Sequence, residues 1–333
     1  MKAMLLRMPR PVAQAPLNFV EVADPQPGSS EVRLRVSACG VCHTDLHIVE
    51  GELPARKLPL IPGHQIVGTV DMLGEKVTKL NLGDRVGVPW LYSSCGNCNF
   101  CREGRENLCS EASFTGYDVD GGYAQYVIAP EAFAYPLPAG FPDLQVAPLL
   151  CAGIIGFRAL RVSGIGARQN LGLFGFGASA HLAIQVAVHW GCQVYVFTRS
   201  PKHQDLARRL GAVWVGRAEQ LPPKKLHAAI IFAPAGSIVS YALEALERGA
   251  TVVLAGIYMS PIPELDYNRY LYYEKVVRSV SNATRQDAQD FLRLAAEIPV
   301  STMVEAFPLD EANRVLLLLK EGRIQGAGVL ELP

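Results

Sequence analysis

The feature that most constrains the fold is an alternation of apolar strands and helical stretches that begins at Asn170. Two of the helical stretches are closed by glycines, Gly191 and Gly211. Alternation of this kind favours a parallel sheet with crossover helices. The predicted strands are 171–174, 193–197, 213–215, 228–232, 251–255 and 276–280, and the predicted helices between them are 178–190, 202–210 and 238–247.

The first 150 residues or so have a different character. They are rich in Gly and Pro and carry short β-branched runs at 31–36 and 65–72, which is typical of strands joined by turns. The pattern changes near Cys151, and the last fifty residues return to mixed character, with helices predicted at 288–296 and 309–321. A chain of 333 residues is long for one core and suits two domains of roughly 150 residues each.

The charge balance excludes several classes of partner. Lys plus Arg equals Asp plus Glu, 31 each, and no long run of one sign occurs. We therefore expect neither nucleic acid nor an anionic membrane surface as a partner. The first ten residues lack the apolar core of a signal peptide, and no stretch of about 18 apolar residues could span a bilayer. We expect a soluble, cytoplasmic protein.

Four cysteines form the most specific local signal, separated by gaps of two, two and seven residues: Cys95, Cys98, Cys101 and Cys109. Short gaps let thiolates on a tight loop meet at one centre, and four thiolates make a closed tetrahedral zinc site that staples the loop. Redox cysteines, an iron–sulfur cluster or a nucleic-acid-binding ribbon are the alternatives; the neutral charge argues against the ribbon. Cys39 and Cys192 lie in apolar runs and are predicted to be core residues.

Three separated segments, CGVCHTDLH, PGHQ and PLLCAG, offer further metal ligands and acid–base groups. Their spacing permits a metal site but does not choose its ligands. Cys39 and Cys42 are equally plausible thiolates, and His43, His47 and His64 are equally plausible imidazoles. A histidine near glycines is also often an ordinary loop residue.

A glycine loop follows the first predicted strand of the alternating region and opens a helix. This is the setting of a dinucleotide-binding site, because the pyrophosphate rests on the helix N-terminus. Gly175 makes the tight turn, Gly177 lets the backbone approach the phosphates, and Ala180 is small enough for the helix to pack on the strand. The predicted cofactor-binding residues of this loop are Gly175, Gly177, Ala178, Ser179 and Ala180.

The end of the second strand decides between the two nicotinamide cofactors. Proteins that bind NAD typically have an acidic residue there, about 20 residues past the glycines, which hydrogen-bonds the ribose 2′-hydroxyl. This chain has Thr198, Arg199 and Ser200, with Lys202 close behind. Hydroxyls and cations suit a 2′-phosphate. The sequence therefore favours NADP(H) and leaves NAD(H) possible.

The motifs GVCHTDLH, PGHQIVG, the four-cysteine loop, APLLCAG and GFGASA occur in the order found in medium-chain zinc-dependent alcohol dehydrogenases, a family that the chain closely resembles. The resemblance implies an α/β fold: a GroES-like β-rich catalytic domain at 1–152, a doubly wound Rossmann domain at 153–282, and a segment at 283–333 that returns to the catalytic domain. It also implies a homodimer or homotetramer.

Matching the motifs residue by residue implies one catalytic zinc, held by Cys42, His64 and Cys151, beside one structural zinc in the four-cysteine loop. Cys39 is excluded by this match. Two thiolates and one imidazole leave a fourth position open for substrate, and zinc there lowers the pKa of an alcohol.

The resemblance also assigns a proton path. Thr44 would hydrogen-bond the alcohol, and the path would continue through the cofactor ribose to His47. Asp45 would accept a hydrogen bond from the free ring nitrogen of His64 and so fix its orientation. Strand packing and turn formation are the alternatives for Thr44 and Asp45.

Two departures from the family and two pocket residues refine the expectation. Gln65 stands where relatives often have Glu, and Ala327 where they commonly have an arginine that touches the pyrophosphate; Arg285 is a candidate substitute for that arginine. Leu53 and Trp90 should line the substrate cleft near zinc. Leucine at 53, where some relatives have tryptophan, would admit longer or aromatic alcohols.

The predicted function is thus the reversible oxidation of primary alcohols, medium-chain or aromatic, to aldehydes by hydride transfer to a nicotinamide cofactor. The alternatives are a zinc-free reductase of the same fold and a non-catalytic NADP(H)-binding sensor. Either would be expected to lack one of Thr44, Cys42, His64 or Cys151, and all four are present.

Overall fold

The computed structural model describes residues 1–298 and 300–332, which form two compact units. The first unit comprises Met1–Cys151, Thr284–Ala296 and Ser301–Pro333, and the second comprises Ala152–Ala283 and Glu297–Val300. The first unit thus contains most of the C-terminal segment, while the short stretch Glu297–Val300 groups with the second unit.

The strands are, in chain order, β1 (Lys2–Leu6), β2 (Leu17–Glu21), β3 (Glu31–Val41), β4 (Gln65–Leu73), β5 (Arg85–Val88), β6 (Leu91–Ser93), β7 (Ser113–Phe114), β8 (Tyr126–Pro130), β9 (Tyr135–Pro136), β10 (Asn170–Phe174), β11 (Gln193–Phe197), β12 (Ala212–Gly216), β13 (Leu226–Ile231), β14 (Leu246–Leu254), β15 (Val276–Ser279), β16 (Val304–Pro308) and β17 (Ala327–Glu331). The helices are α1 (His43–Glu50), α2 (Asn99–Arg102), α3 (Asp143–Val146), α4 (Ala152–Ser163), α5 (Ala178–His189), α6 (Pro201–Arg209), α7 (Ile238–Ala245), α8 (Tyr267–Tyr270), α9 (Arg285–Glu297) and α10 (Ala312–Lys320). Single 3-10 turns lie at Val12–Gln14, Glu106–Leu108, Glu131–Phe133, Ala147–Leu150 and Leu309–Glu311.

The first unit is built on a seven-stranded sheet in the order β16-β17-β3-β4-β5-β9, with β8 paired to β3. Every pairing in it is antiparallel except that of β16 with β17. Along β3, Val32, Leu34 and Val36 are buried while the residues between them are more exposed, which is the alternation of a half-buried strand. Burial of each such side chain stabilises the unit by about 1.5–3 kcal/mol.

The second unit contains a six-stranded parallel sheet in the order β12-β11-β10-β13-β14-β15. Counted from β10, the order is third, second, first, fourth, fifth and sixth, which is the doubly wound order of dinucleotide-binding domains. Residues 171–174 of β10 and 194–197 of β11 are buried without interruption, as expected for strands that helices cover on both faces. The predicted α/β fold with a parallel sheet is therefore confirmed.

Three helices differ from the sequence prediction by two or three residues at one end. The helix predicted at 238–247 ends at Ala245, because the chain extends at Leu246 into β14. The helix predicted from 288 begins at Arg285, because the Thr284 hydroxyl accepts the Asp287 backbone N–H while the Asp287 carboxylate accepts the Thr284 backbone N–H. The helix predicted at 309–321 starts as a 3-10 turn and becomes α10 only at Ala312.

Within residues 1–298 and 300–332, no single helix is long and apolar enough to cross a membrane, and one bent helix pair, 143–150 with 152–163, meets the length and composition criteria.

Candidate active site

Three side chains from separate parts of the first unit converge at one point. Cys42 follows the last residue of β3, His64 precedes β4, and Cys151 follows the turn Ala147–Leu150. Their Sγ and ring nitrogen atoms all lie within 4.8 Å of one another, and Cys42 Sγ is 3.3 Å from His64 Nε2. Cys39 is fully buried in the core and is not part of this group.

The spacing of these donor atoms fits a zinc ion. Tetrahedral zinc with ordinary bond lengths separates a thiolate sulfur from an imidazole nitrogen by about 3.6 Å, close to the 3.3 Å between Cys42 and His64. Two sulfurs and one nitrogen are also the donor set of an alcohol dehydrogenase type of zinc site, in which the fourth position stays open. The residues present therefore fit a catalytic zinc.

Asp45 organises this cluster through two hydrogen bonds. Its Oδ2 accepts the backbone N–H of Cys42 at 2.9 Å, which completes a capping box at the start of α1. Its Oδ1 lies 3.0 Å from His64 Nδ1. A proton on Nδ1 leaves the lone pair of Nε2 for a metal, so the same carboxylate caps a helix and prepares a ligand.

The Cys42 sulfur also lies at a helix N-terminus. It is the N-cap of α1, and the backbone N–H of Thr44 donates to it at 3.4 Å. Backbone N–H groups and the helix dipole favour negative charge at this point, which helps a thiolate form.

Protonation of the ligands is set by burial and by their neighbours. Burial lowers the pKa of His64, but the Asp45 carboxylate and the Cys42 sulfur outweigh it and raise that pKa to about 10. The Cys151 side chain and burial raise the pKa of Cys42 well above its usual range. Both groups must give up protons to ligate zinc, so zinc binding weakens as the pH falls.

The four cysteines of the loop at 95–109 form a second cluster in the first unit. Their sulfurs all lie within 4.8 Å of one another, with Cys95 at 3.9 Å from Cys101 and 3.5 Å from Cys109. Two thiolates on a tetrahedral zinc are separated by about 3.8 Å, whereas a disulfide bond is about 2.05 Å long. Backbone N–H groups of Asn97 and Cys98 lower the pKa of Cys95 to about 7. The cluster fits a structural zinc.

The glycine loop of the second unit joins β10 to α5. Gly175 has a φ of +86°, and a Cβ there would lie 2.9 Å from the backbone nitrogen of Ala233, so only glycine fits. Gly177 is the N-cap of α5, and a Cβ there would meet no atom within 4 Å. The loop therefore leaves open space above the first N–H groups of a 12-residue helix, which suits a pyrophosphate.

Comparisons with known proteins agree with this geometry. Residues 28–139 match the family model of the alcohol dehydrogenase GroES-like domain, and residues 180–297 match that of the zinc-binding dehydrogenase. A probable alcohol dehydrogenase AdhA of Mycobacterium tuberculosis is 45% identical over 99% of this chain and 97% of its own length. An alcohol dehydrogenase of Geobacillus stearothermophilus is 38% identical over 95% and 96%.

The chain belongs to the medium-chain zinc-dependent alcohol dehydrogenase family. It is accordingly an oxidoreductase that acts on CH–OH groups. Among solved structures, a cinnamyl alcohol dehydrogenase of Sorghum bicolor superposes with a TM-score of 0.89 at 27% identity, covering 99% of this chain and 97% of that one. A cobalt- and zinc-bound thermostable alcohol dehydrogenase of Pyrobaculum aerophilum superposes with a TM-score of 0.90 at 25% identity, covering 100% and 99%.

In this dehydrogenase an aromatic stack lies against His64 of the candidate zinc cluster. Trp90 and His64 make a T-shaped ring contact at 4.9 Å and 75°, and Trp90 also stacks with Phe114 at 5.1 Å and with Tyr117 at 5.8 Å. Leu53 is half-buried and packs against the same core as Trp90. The substrate-pocket role of Leu53 and Trp90 stays a prediction, which their position in the first unit supports.

The proton-path residues lie on α1. The Thr44 side chain is buried, two residues beyond Cys42 of the candidate zinc cluster. His47, in the last turn of α1, makes a hydrogen bond through Nδ1 to the carboxylate of Glu52. The assignment of Thr44 and His47 to the proton path stays a prediction.

The residues predicted to choose the cofactor lie after β11. Thr198 is buried and donates its backbone N–H to Gly216 at 2.8 Å, and Ser200 caps α6 by accepting the backbone N–H of His203. Arg199 is exposed. The assignment of Thr198, Arg199 and Ser200 to cofactor binding stays a prediction.

Arg285 is engaged elsewhere in the first unit. Its backbone N–H and its Nε both donate to Glu106, at 2.9 and 3.1 Å, and its guanidinium lies 5.2 Å from the ring centroid of Phe133. Glu106 is buried, so this ion pair holds Arg285 against the four-cysteine loop. The pyrophosphate role of Arg285 stays a prediction, and these contacts offer no support for it. Ala327 is buried at the start of β17.

Sequence reasoning missed three polar residues near these sites. Glu52 contacts His47, Glu106 pairs with Arg285, and His181 is buried in the first turns of α5 with its Nδ1 3.4 Å from the Gly177 carbonyl. Only Glu106 had a sequence signal, since it lies inside the four-cysteine loop. Gln65, where relatives often have Glu, is buried, and its amide packs against Gly40, where a Cβ would lie 2.9 Å away.

Proposed function

We propose that this dehydrogenase interconverts medium-chain or aromatic primary alcohols and their aldehydes, with NADP(H) as its preferred cofactor. The observation that carries the proposal is the convergence of Cys42, His64 and Cys151 beside the aromatic ring of Trp90. When held by the three ligands, zinc supplies Lewis acidity to the alcohol oxygen, and the nicotinamide supplies the hydride acceptor.

The chain's own residues would orient the substrate and move its proton. Thr44 carries a hydroxyl two residues from the ligand Cys42 and would hold the alcohol oxygen. Asp45 keeps His64 in the ligating tautomer. His47 would take up the proton that the alcohol loses. Substitution of Thr44 by Val should lower kcat by at least 100-fold while the zinc content stays at the wild-type value.

The aromatic stack supports the substrate class. Trp90, Phe114 and Tyr117 form an apolar stack that contacts His64 through Trp90, and leucine at 53 is smaller than tryptophan. Burial of each additional methylene of a substrate adds about 0.8 kcal/mol of binding. We expect kcat/KM for benzyl alcohol and 1-octanol to exceed that for ethanol at least tenfold, and Leu53→Trp to reduce this ratio. Trp190→Ala, in the second unit, serves as the control and should leave the ratio of these kcat/KM values unchanged. Equal or higher kcat/KM for ethanol in the wild type would contradict the proposal.

The hydroxyls and the cation after β11 support NADP(H). Loss of a hydrogen bond to a charged group costs about 1.5–3 kcal/mol, which corresponds to a 10- to 100-fold lower kcat/KM. We expect Arg199→Ala to show that loss with NADP(H) and to change kcat/KM with NAD(H) by less than twofold. Arg209→Ala, at the other end of α6, should change neither. A tenfold preference of the wild type for NAD(H) would overturn the assignment.

The edge strand of the second unit supports assembly into a homodimer or homotetramer. β15 is the last strand of its sheet, and Val276 on it is 45% exposed. Three exposed tyrosines, Tyr267, Tyr272 and Tyr273, lie shortly before it. An unpaired strand edge with exposed aromatic residues is a surface that pairs with another chain. Light scattering should give at least twice the chain mass for the wild type and a smaller assembly for Val276→Lys.

The cysteines support a cytoplasmic location. All eight are free thiols in the structure, and six of them belong to the two metal clusters. Thiols kept for metal binding are typical of a reducing compartment. We expect a cell fraction that contains cytosolic enzymes to contain this one.

A further inference from the structure

Glu52 reaches His47 because of the way α1 ends. The helix stops at Glu50, and Gly51 adopts a left-handed conformation with φ of +80°. The backbone N–H of Leu53 then donates to the His47 carbonyl at 3.1 Å, which folds the chain back over the last turn. This reversal brings the Glu52 carboxylate into hydrogen-bond contact with His47 Nδ1. A Cβ at Gly51 would also lie 3.0 Å from Pro9, so both the backbone conformation and the close approach of Pro9 favour glycine at this position.

Two other titratable side chains, His43 and Glu50, lie near His47. His43 is farther away than Glu52, and Glu50 is hydrogen-bonded to other groups. The His43 ring is 6.4 Å from that of His47, measured between centroids. Glu50 accepts the Lys320 ammonium at 2.7 Å and the backbone N–H of Val12 at 2.8 Å, so its carboxylate is committed to those donors. Glu52 is 41% exposed and the His47 side chain 16% exposed, so the carboxylate stands between a mostly buried imidazole and solvent.

We propose that Glu52 is a positioning residue that sets the tautomer of His47. This inference rests on the proposed role of His47 as the residue that takes up the substrate's proton. A neutral imidazole has one N–H, and a carboxylate accepts but does not donate. Contact with Glu52 therefore requires the proton on Nδ1 and leaves the lone pair on Nε2.

The proton balance of the step follows from that tautomer. Nε2 accepts one proton, which gives an imidazolium with N–H groups at both nitrogens. Glu52 keeps its hydrogen bond to Nδ1–H while Nε2 carries the added proton. Nε2 then releases its proton to water, which restores the starting tautomer. One proton enters and one leaves at the same nitrogen, and Glu52 remains a carboxylate throughout.

The tautomer can be measured without any turnover. Histidine ring nitrogens of the zinc-loaded, cofactor-free protein are observed by 15N–1H correlation NMR, and the His47 signals are assigned by their absence in His47→Gln. We expect the Nδ1–H tautomer in the wild type and in Glu52→Asp, and a shift toward the Nε2–H tautomer in Glu52→Ala. A wild type dominated by Nε2–H, or a Glu52→Ala spectrum identical to that of the wild type, would overturn the inference.

Kinetics then test whether Glu52 acts through His47. We expect Glu52→Ala to lower kcat about tenfold, the size of a lost charge-assisted hydrogen bond, and to leave KM for the cofactor within twofold. Glu52→Asp should recover most of the lost rate. In a His47→Gln background the same Glu52→Ala change should alter kcat by less than twofold. Glu75→Ala, an exposed site on the same unit, is the control.

Different results would contradict the positioning role of Glu52 and the proton-accepting role of His47. If Glu52→Ala lowers kcat equally with and without His47, Glu52 does not act through the imidazole and the inference is wrong. If His47→Gln itself keeps the wild-type kcat, the role of His47 in the proposed function is wrong, while the NMR spectra still decide whether Glu52 sets the tautomer.

Discussion

Substitution of Asp45 by Asn is the most informative single change at the catalytic cluster. The carboxylate is fully buried and accepts two hydrogen bonds, from the Cys42 backbone N–H at 2.9 Å and from His64 Nδ1 at 3.0 Å. An amide of the same shape has one oxygen and one NH2 group, so it can accept only one of the two. Either the cap of α1 is lost, or His64 takes the tautomer with a proton on Nε2, which cannot ligate zinc.

The magnitude follows from the bond that is lost. A hydrogen bond to a charged acceptor contributes about 1.5–3 kcal/mol, and a group that hydrogen-bonds a metal ligand typically accounts for about 10- to 100-fold in metal affinity. We therefore expect Asp45→Asn to weaken the catalytic zinc site about 10- to 100-fold. Asp45→Ala should weaken it at least as much.

The assay is competition with a coloured chelator, which follows zinc release from both clusters. The four-cysteine site is the internal reference, because Asp45 does not contact it, and its affinity should stay within twofold of the wild-type value. Asp71→Asn, which breaks an ion pair with Arg33 at 2.9 Å on the same unit, is the matched control. A fully folded Asp45→Asn protein whose catalytic site binds zinc within twofold of the wild type would refute this reasoning.

Two further predictions concern stability. Burial lowers the pKa of His181 to about 4, below the value of about 6.5 in an unfolded chain. The unfolded state thus binds the proton more readily, and the stability that is present above pH 6.5 falls as the pH drops toward 4, by about 2 kcal/mol at pH 5. Urea unfolding at pH 7 and pH 5 measures the decrease in free energy of unfolding between the two pH values. We expect this decrease to be about 2 kcal/mol smaller in His181→Leu than in the wild type. Equal decreases in the two proteins would contradict the lowered pKa of His181. Glu106→Ala leaves the guanidinium and the backbone N–H of Arg285 without their partner, and we expect a loss of about 1–3 kcal/mol in free energy of unfolding. Glu103→Ala, an exposed residue in the same loop, should change it by less than 0.5 kcal/mol, as is usual at the surface.

The parallel sheet was open to prediction because its signal is local and repeated. In three of the five intervals between the predicted strands a helical stretch follows the apolar run, and only a crossover connection joins such neighbours into one sheet. All six predicted strands are present, and their ends lie within two residues of the prediction except that β14 begins at Leu246, five residues before the predicted start at 251. The helix that ends early at Ala245 shows the limit of that reasoning. Leucine at 246 suits a helix and a strand equally, and its pairing with Leu226 in β13 places it in the strand.

The choice between Cys39 and Cys42 shows why spacing alone could not define the metal site. Both cysteines stand beside the same histidines in sequence. In the structure Cys39 lies inside β3 and is fully buried, whereas Cys42 lies just past the strand, where it caps α1 and meets His64. Residues at positions three apart in a strand point to opposite faces, so Cys39 and Cys42 cannot both face the histidines. The sequence did not show where β3 ends, and so it did not show which cysteine does.

Contacts between distant segments were beyond sequence reasoning. Glu106 and Arg285 are 179 residues apart, and no periodicity or motif connects them. Glu52 meets His47 only because Gly51 reverses the chain, and a glycine after a helix is too common to indicate which side chain folds back. Short polar contacts of this kind depend on the exact course of a loop.

Metal analysis of three proteins side by side tests the central claim, that Cys42, His64 and Cys151 hold a zinc ion separate from the one in the four-cysteine loop. We predict two zinc ions per chain in the wild type, and one in Cys42→Ser together with loss of alcohol oxidation. We also predict one zinc ion in Cys98→Ser, with the catalytic cluster still loaded. Full activity in a wild-type preparation that contains no zinc, or two zinc ions retained by Cys42→Ser, would contradict the account.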